Sequence, residues 1–216
     1  MTVRPAAGGG RWVSVAPERL RRWVEGFTER HGPIRVSATP ESVRLEAEDG
    51  AVAECRVPFP PLGEAGDPVA ELIAHAGRER TVGVLLVRLG GFAAGVFTGE
   101  RLIASKVGSR PVHGRSAAGG WSQQRFARRR EKQAAEALRA AAEAACQVLV
   151  PYEAELEAVV LGGDRRAVGA LREDRRLAGV FAREAEPFLA VPDPRRSVLE
   201  SAPGLFRSVR IRVIDP

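Results

Sequence analysis

The chain has 216 residues, 44% of them hydrophobic and 28% charged, with 33 Lys and Arg against 27 Asp and Glu for a formal net charge of +6. That is the composition of a folded domain able to bury a core without staples, and it argues against wholesale disorder. The longest clean apolar run, Val82 to Val87, is too short to span a bilayer, residues 1–10 lack the apolar core of a signal peptide, and Cys55 and Cys146 form no Cys-x-x-Cys pair, so a membrane span, a zinc site and a disulfide framework are all disfavoured and the expected setting is a reducing cytoplasm.

Residues 1–10 are rich in Gly and Ala and read as loose. From Pro17 to Arg30 the apolar residues Leu20, Trp23, Val24 and Phe27 recur at helical spacing, and His31-Gly32-Pro33 ends the pattern. Short alternating stretches at 34–38, 43–47 and 52–57, separated by Thr39-Pro40 and Asp49-Gly50, predict a small antiparallel meander. Trp12, Trp23 and Phe27 are expected to bury the N-terminal helix against this meander. Pro58 to Pro68 holds four prolines and reads as a linker or surface loop. The chain divides on this pattern into 1–60, an N-terminal helix and meander, and 61–216, the main domain.

A helix is predicted over 69–77, then three strands at 82–89, 92–97 and 101–107 with Gly90-Gly91 and Gly99-Glu100 as turns. Residues 108–120 form a thirteen-residue stretch with four glycines, a length that is usually functional when it occurs in a compact domain. The strongest helix runs from about Ser122 to Leu149, its second half nearly all Ala, Glu, Gln and Leu, and Pro151 stops it. Strands are expected at 158–161 and 188–191, helices at 165–171 and 197–205, and 208–214 alternates as an edge strand. Three consecutive strands followed by alternating helices and strands imply a mixed sheet with helices packed on it.

The charge is unevenly placed. Residues 101–132 hold nine basic residues and one acid, Glu131, for +8, and the remainder carries −2. Within that stretch, His113 to Lys132 reads HGRSAAGGWSQQRFARRREK. Gly119-Gly120 lets the backbone turn and approach another surface closely. Ser122 is a good N-cap, and the amides of a helix start face an anion or a developing oxyanion. Arg125, Arg128, Arg129 and Lys132 fall at i, i+3, i+4 and i+7 and form one stripe suited to phosphates. On spacing alone this is equally the pattern of a solvated basic helix face. A nucleophile elbow, a phosphate-binding loop and a dinucleotide fingerprint are each excluded by the absence of their spacing. No grouping of Asp and Glu suggests two-metal chemistry, and no cofactor is called for.

The stretch GGWSQQRFARRR resembles the middle domain of archaeal and eukaryotic class I peptide-chain release factors, in which a Gly-Gly-Gln tip is followed by Ser and an Arg-Phe-Ala-Arg helix start. Gly119, Gly120, Ser122, Arg125, Phe126, Ala127, Arg128 and Arg130 keep that register. Trp121 stands where the release-factor Gln stands, and the glutamines come two and three places later at Gln123 and Gln124. That displacement is similar to the Vms-like release-factor family of ribosome quality control, and the chain as a whole resembles its actinobacterial branch. The resemblance implies an RNase H-like mixed sheet and a peptidyl-tRNA hydrolase acting on the ribosome; the expected partners are the ribosome, through its large subunit, and peptidyl-tRNA, with no membrane, and the protein is expected to be cytoplasmic and a monomer off the ribosome.

In that reading Gly119, Gly120, Ser122, Gln123 and Gln124 form the catalytic loop. A glutamine amide does not titrate, so it orients water and donates a hydrogen bond to developing charge. Gln123 best matches the displaced motif and Gln124 is the second choice, since adjacent helix positions point about 100° apart. Arg110, Arg115, Arg125, Arg128, Arg129 and Lys132 would contact RNA phosphates, and Trp121 would stack on an unpaired tRNA base or anchor the helix to the sheet. The Trp at the Gln position leaves two other outcomes open: cleavage of the tRNA near its 3′ end, and a non-catalytic ribosome- or RNA-binding module.

Overall fold

A computed structural model describes residues 3–6, 9–63, 66–88, 90–109 and 122–216, with backbone alone for residue 3 and residues 122–130. The elements in chain order are β1 (Val3–Pro5), β2 (Arg11–Val15), α1 (Pro17–His31), β3 (Ile34–Ala38), β4 (Ser42–Ala47), β5 (Val52–Arg56), α2 (Pro68–Gly77), β6 (Thr81–Arg88), β7 (Gly91–Thr98), β8 (Arg101–Ser109) and α3 (Ser122–Leu149). After α3 come β9 (Ala158–Gly163), α4 (Arg165–Leu171), α5 (Ala178–Phe181), β10 (Glu184–Leu189), α6 (Arg196–Glu200), α7 (Pro203–Phe206) and β11 (Val209–Ile214). They group into two compact units, residues 1–79 with 204–216, and residues 80–203.

The first unit is a six-stranded antiparallel sheet in the order β1-β2-β11-β5-β4-β3. Its strands alternate, as in Ser-Val-Arg-Leu-Glu-Ala of β4, so Val43, Leu45 and Ala47 are buried and their neighbours are not. Leu20, Val24 and Phe27 of α1 and Leu72 and Ala76 of α2 join the core under that face. Pro17 opens α1, and Gly32 closes it at φ 83° with its amide donating to the Thr28 carbonyl at 2.9 Å.

Three sequence expectations differ here. Residues 3–5, read as loose, are a strand paired with β2. Residues 208–214, read as an edge strand, contain β11, which pairs with β2 on one side and β5 on the other. The division at residue 60 gives way to a grouping in which α2 and β11 sit with the N-terminal strands. For β11 the reason is that pairing between segments far apart in the chain leaves no local trace in the sequence.

The second unit is a five-stranded sheet in the order β10-β9-β6-β7-β8. The β6–β7 and β7–β8 pairs are antiparallel, and the β6–β9 and β9–β10 pairs are parallel. A meander of three strands, then two parallel strands delivered by helical crossovers, is the RNase H-like arrangement, a mixed α/β sheet as the sequence predicted. Central β6 is buried without a break from Val82 to Val87, so both of its faces lie in the core. Ala141, Ala144, Ala145, Val148 and Leu149 of α3 pack with Leu85, Val87, Phe92, Ala94 and Val96, and α4 adds Ala167, Val168 and Leu171. Leu199 of α6 lies against Gly95, where a Cβ would stand 3.1 Å from its side chain.

Candidate functional site

The helix predicted from about Ser122 to Leu149 spans those residues. At 28 residues it is about 42 Å long. Its described buried residues begin at Ala141, so the Ala-rich second half holds it to the sheet. The small side chains let the helix lie close over β7 and β8.

The predicted site residues fall around that start. Arg110, Arg115, Gly119, Gly120 and Trp121, together with His113, lie outside the described residues. Ser122, Gln123, Gln124, Arg125, Arg128 and Arg129 are the opening turns of α3, and their side chains lie outside what is described. Lys132 is exposed on the same helix. The chain enters the stretch from β8, the outer strand beside β7, and leaves it through α3. Lys106 of β8 donates from Nζ to Oε1 of Gln147 at 2.5 Å, which ties this strand to the anchored half of the helix.

Beside the same helix the second unit contains a pocket of about 290 Å³. Val87, Gly91 and Phe92 of the β6–β7 hairpin and Ala134, Ala137 and Leu138 of α3 supply apolar walls. Arg88, Asp164 and Arg166 supply the polar groups. It lies where the parallel strands β6 and β9 end, the side of an open α/β sheet on which ligands gather. Two of its charged groups are engaged. Asp164 caps α4, accepting from the amides of Arg166 at 2.7 Å and Ala167 at 3.3 Å. Arg88 Nη1 donates to the Val191 carbonyl at 2.9 Å, and its Nε lies 3.8 Å from Asp193. Gly163 makes the turn at φ 97°, where a Cβ would stand 2.2 Å from the Val87 carbonyl oxygen. The sequence signal for this corner was Gly162-Gly163-Asp164, legible as a turn but silent about the cavity.

At the anchored end of α3, Arg176 bonds both Asp174 and Glu143. Those hydrogen bonds hold both carboxyls below their ordinary values and raise the guanidinium. Burial raises the Cys146 thiol and pushes that of Cys55 up to about 12, so neither is poised as a nucleophile at neutral pH. Among the described residues no three His, Cys, Asp or Glu converge as metal ligands, and no helix is long and apolar enough to cross a membrane.

Trp12 departs from the sequence expectation. It lies on the sheet face opposite the core, with the guanidiniums of Arg56 and Arg210 at 5.3 and 5.0 Å from its ring centroid. Trp23 and Phe27 stack with centroids 5.7 Å apart, and Phe27 is fully buried under the first sheet.

The second unit is a mixed α/β sheet of RNase H-like strand order, in which the third strand is followed in the chain by a glycine- and arginine-rich stretch and then by a long crossover helix. The chain belongs to the Actinobacteria/chloroflexi VLRF1 release factor family, whose model matches residues 80–212. Among solved structures it is similar to the archaeal translation termination factor aRF1, at 16% identity and TM-score 0.44, covering 76% of this chain and 51% of that one. It is also similar to the Vms1 mitochondrial localization core, at 10% identity and TM-score 0.43, covering 93% of this chain and 82% of that one. A third likeness is to S. cerevisiae Dom34, described as a translation termination-like factor involved in RNA quality control pathways, at 8% identity and TM-score 0.34, covering 93% of this chain and 66% of that one. The chain spans about half the length of the archaeal factor. No curated protein matches it.

Proposed function

We propose that the protein is a ribosome-associated peptidyl-tRNA hydrolase that frees nascent chains from stalled ribosomes or large subunits. The observation that carries this reading is the family match over residues 80–212, which contains the whole of the Gly119 to Lys132 stretch. The ester joining a peptide to the tRNA ribose is already activated. A reaction of that kind needs one water placed and stray water kept away, and neutral dipoles suffice for both. Gln123, with Gln124 beside it, is assigned to orient that water and to donate to the developing oxyanion, with the amides at the start of α3 as further donors. Gly119 and Gly120 allow close approach to the tRNA end. Arg110, Arg115, Arg125, Arg128, Arg129 and Lys132 are assigned to phosphates, and Trp121 to a stacked base. The protein acts in the cytoplasm, without a cofactor, and as a monomer away from the ribosome.

The test is incubation with stalled peptidyl-tRNA–ribosome complexes, with both peptide and tRNA resolved on a gel. Release of peptide with full-length tRNA is expected. Gln123→Ala with Gln124→Ala should slow release by about 10²–10³-fold, the usual cost of losing a positioned donor. Undiminished release by that variant removes the glutamines from the mechanism. A shortened tRNA means phosphodiester cleavage at the 3′ end, and binding without release means a non-catalytic module.

A further inference from the structure

The six-stranded sheet buries the residues that face α1 and α2, and on its opposite face none of the described side chains is buried. Strand register places six arginines on that face (Arg4, Arg35, Arg44, Arg56, Arg210 and Arg212) against two glutamates, Glu46 and Glu54. Part of this charge is satisfied within the fold. Arg44 Nε donates to Glu46 at 2.7 Å, and Arg212 donates to the Gly9 carbonyl from Nε at 3.3 Å and Nη2 at 3.2 Å. Arg56 and Arg210 are different. They stand directly opposite each other on β5 and β11, and both are exposed. Like charges in that position cost stability. No ion pair among the described residues takes either, and what they share is the ring of Trp12 beneath their guanidiniums.

We infer that this sheet face is an RNA-binding surface for single-stranded RNA. The arginines are spread over five of the six strands, a surface about 24 Å across at ordinary strand spacing. A lone phosphate is held by groups that converge, whereas a spread of forked donors matches the repeated charges of a polynucleotide backbone. Guanidinium planes held on an indole also give an unpaired base a stacking platform, which a duplex does not use. Binding at this face is independent of the reaction proposed for residues 119–124, so either can fail without the other.

The test is fluorescence anisotropy of a labelled oligouridylate titrated with the full chain over a series of salt concentrations. Arg56→Gln with Arg210→Gln should weaken binding about tenfold and make the slope of log K against log salt shallower by about 1.4, about 0.7 for each phosphate no longer neutralised. Trp12→Leu should weaken binding with the slope unchanged. Arg21→Gln with Arg22→Gln removes the same charge from the exposed side of α1 and should leave binding as it was. If the central pair lowers the melting temperature, Arg4→Gln with Arg35→Gln probes the two edges of the same face. Sheet variants that bind like the parent, or an α1 variant that loses as much as they do, would overturn the inference. Unchanged RNA binding would leave an acidic protein as the partner for this face.

Discussion

The two sheets of this protein solve burial in opposite ways. In the five-stranded sheet, Val82 to Val87 is buried residue by residue, and helices supply a core on both faces. In the six-stranded sheet, burial alternates along β2, β4, β5 and β11, so one face meets α1 and α2 while the other keeps its polar and charged groups outside. A strand apolar on both faces has no surface left for recognition. A strand that alternates sorts its charges onto one side. That sorting changes the meaning of the charge distribution. By sequence, everything outside residues 101–132 sums to −2, yet part of that remainder presents six arginines and two glutamates on a single face. Charge summed along the chain is not charge summed over a surface.

The contrast can be broken from either side. Leu85→Ala, in the middle of the two-sided strand, should cost about 2–5 kcal/mol in urea unfolding, because nothing near a fully buried side chain in β6 is free to collapse into the space. Equal loss at Trp12→Ala on the outer face of the other sheet would erase the difference between the two. Asp164→Ala removes the α4 cap beside the pocket and should cost about 1 kcal/mol, read as a fall in melting temperature. A cost near zero would mean that the packing of Ala167, Val168 and Leu171 alone holds α4 in place.

The smallest expected effect is on acid stability, and it compares one carboxylate from each unit. The Ala51 amide and the His31 ring hold the Asp49 carboxyl below its ordinary value, and Arg176 does the same for Asp174. A depressed carboxyl stabilises the fold above the unfolded value of about 3.9, and that contribution is lost as pH falls through the lower folded value. Asp49→Asn and Asp174→Asn should therefore each lower stability at neutral pH and flatten its decline below about pH 4. Melting temperatures from neutral pH down to about pH 2 check this, and curves parallel to the parent would show that neither carboxylate matters.

Much of the second unit was legible. The meander, the helix over Ser122–Leu149, β9 and α4 each carry their own local pattern: apolar runs, glycine turns, or good helix formers stopped by proline. The candidate catalytic stretch was legible for a different reason, since Gly119 to Arg130 is a motif whose meaning lies in residue order. The cavity beside α3 was not legible, because Val87, Leu138 and Arg166 come from three segments that only folding brings together. The Trp12 cluster was not legible either, since no element is predicted over residues 11–15 and the arginines on its ring come from β5 and β11.

The sequence by itself determined the family, the longer elements from α1 to α4 and the place of the glycine- and arginine-rich stretch, because those are encoded within a few turns of chain. Only the tertiary structure decided that the last strand lies in the middle of the first sheet. It likewise decided that arginines from residues 56 and 210 share one tryptophan. Strand pairing is chosen by burial of a common face between distant segments, and no local propensity records it.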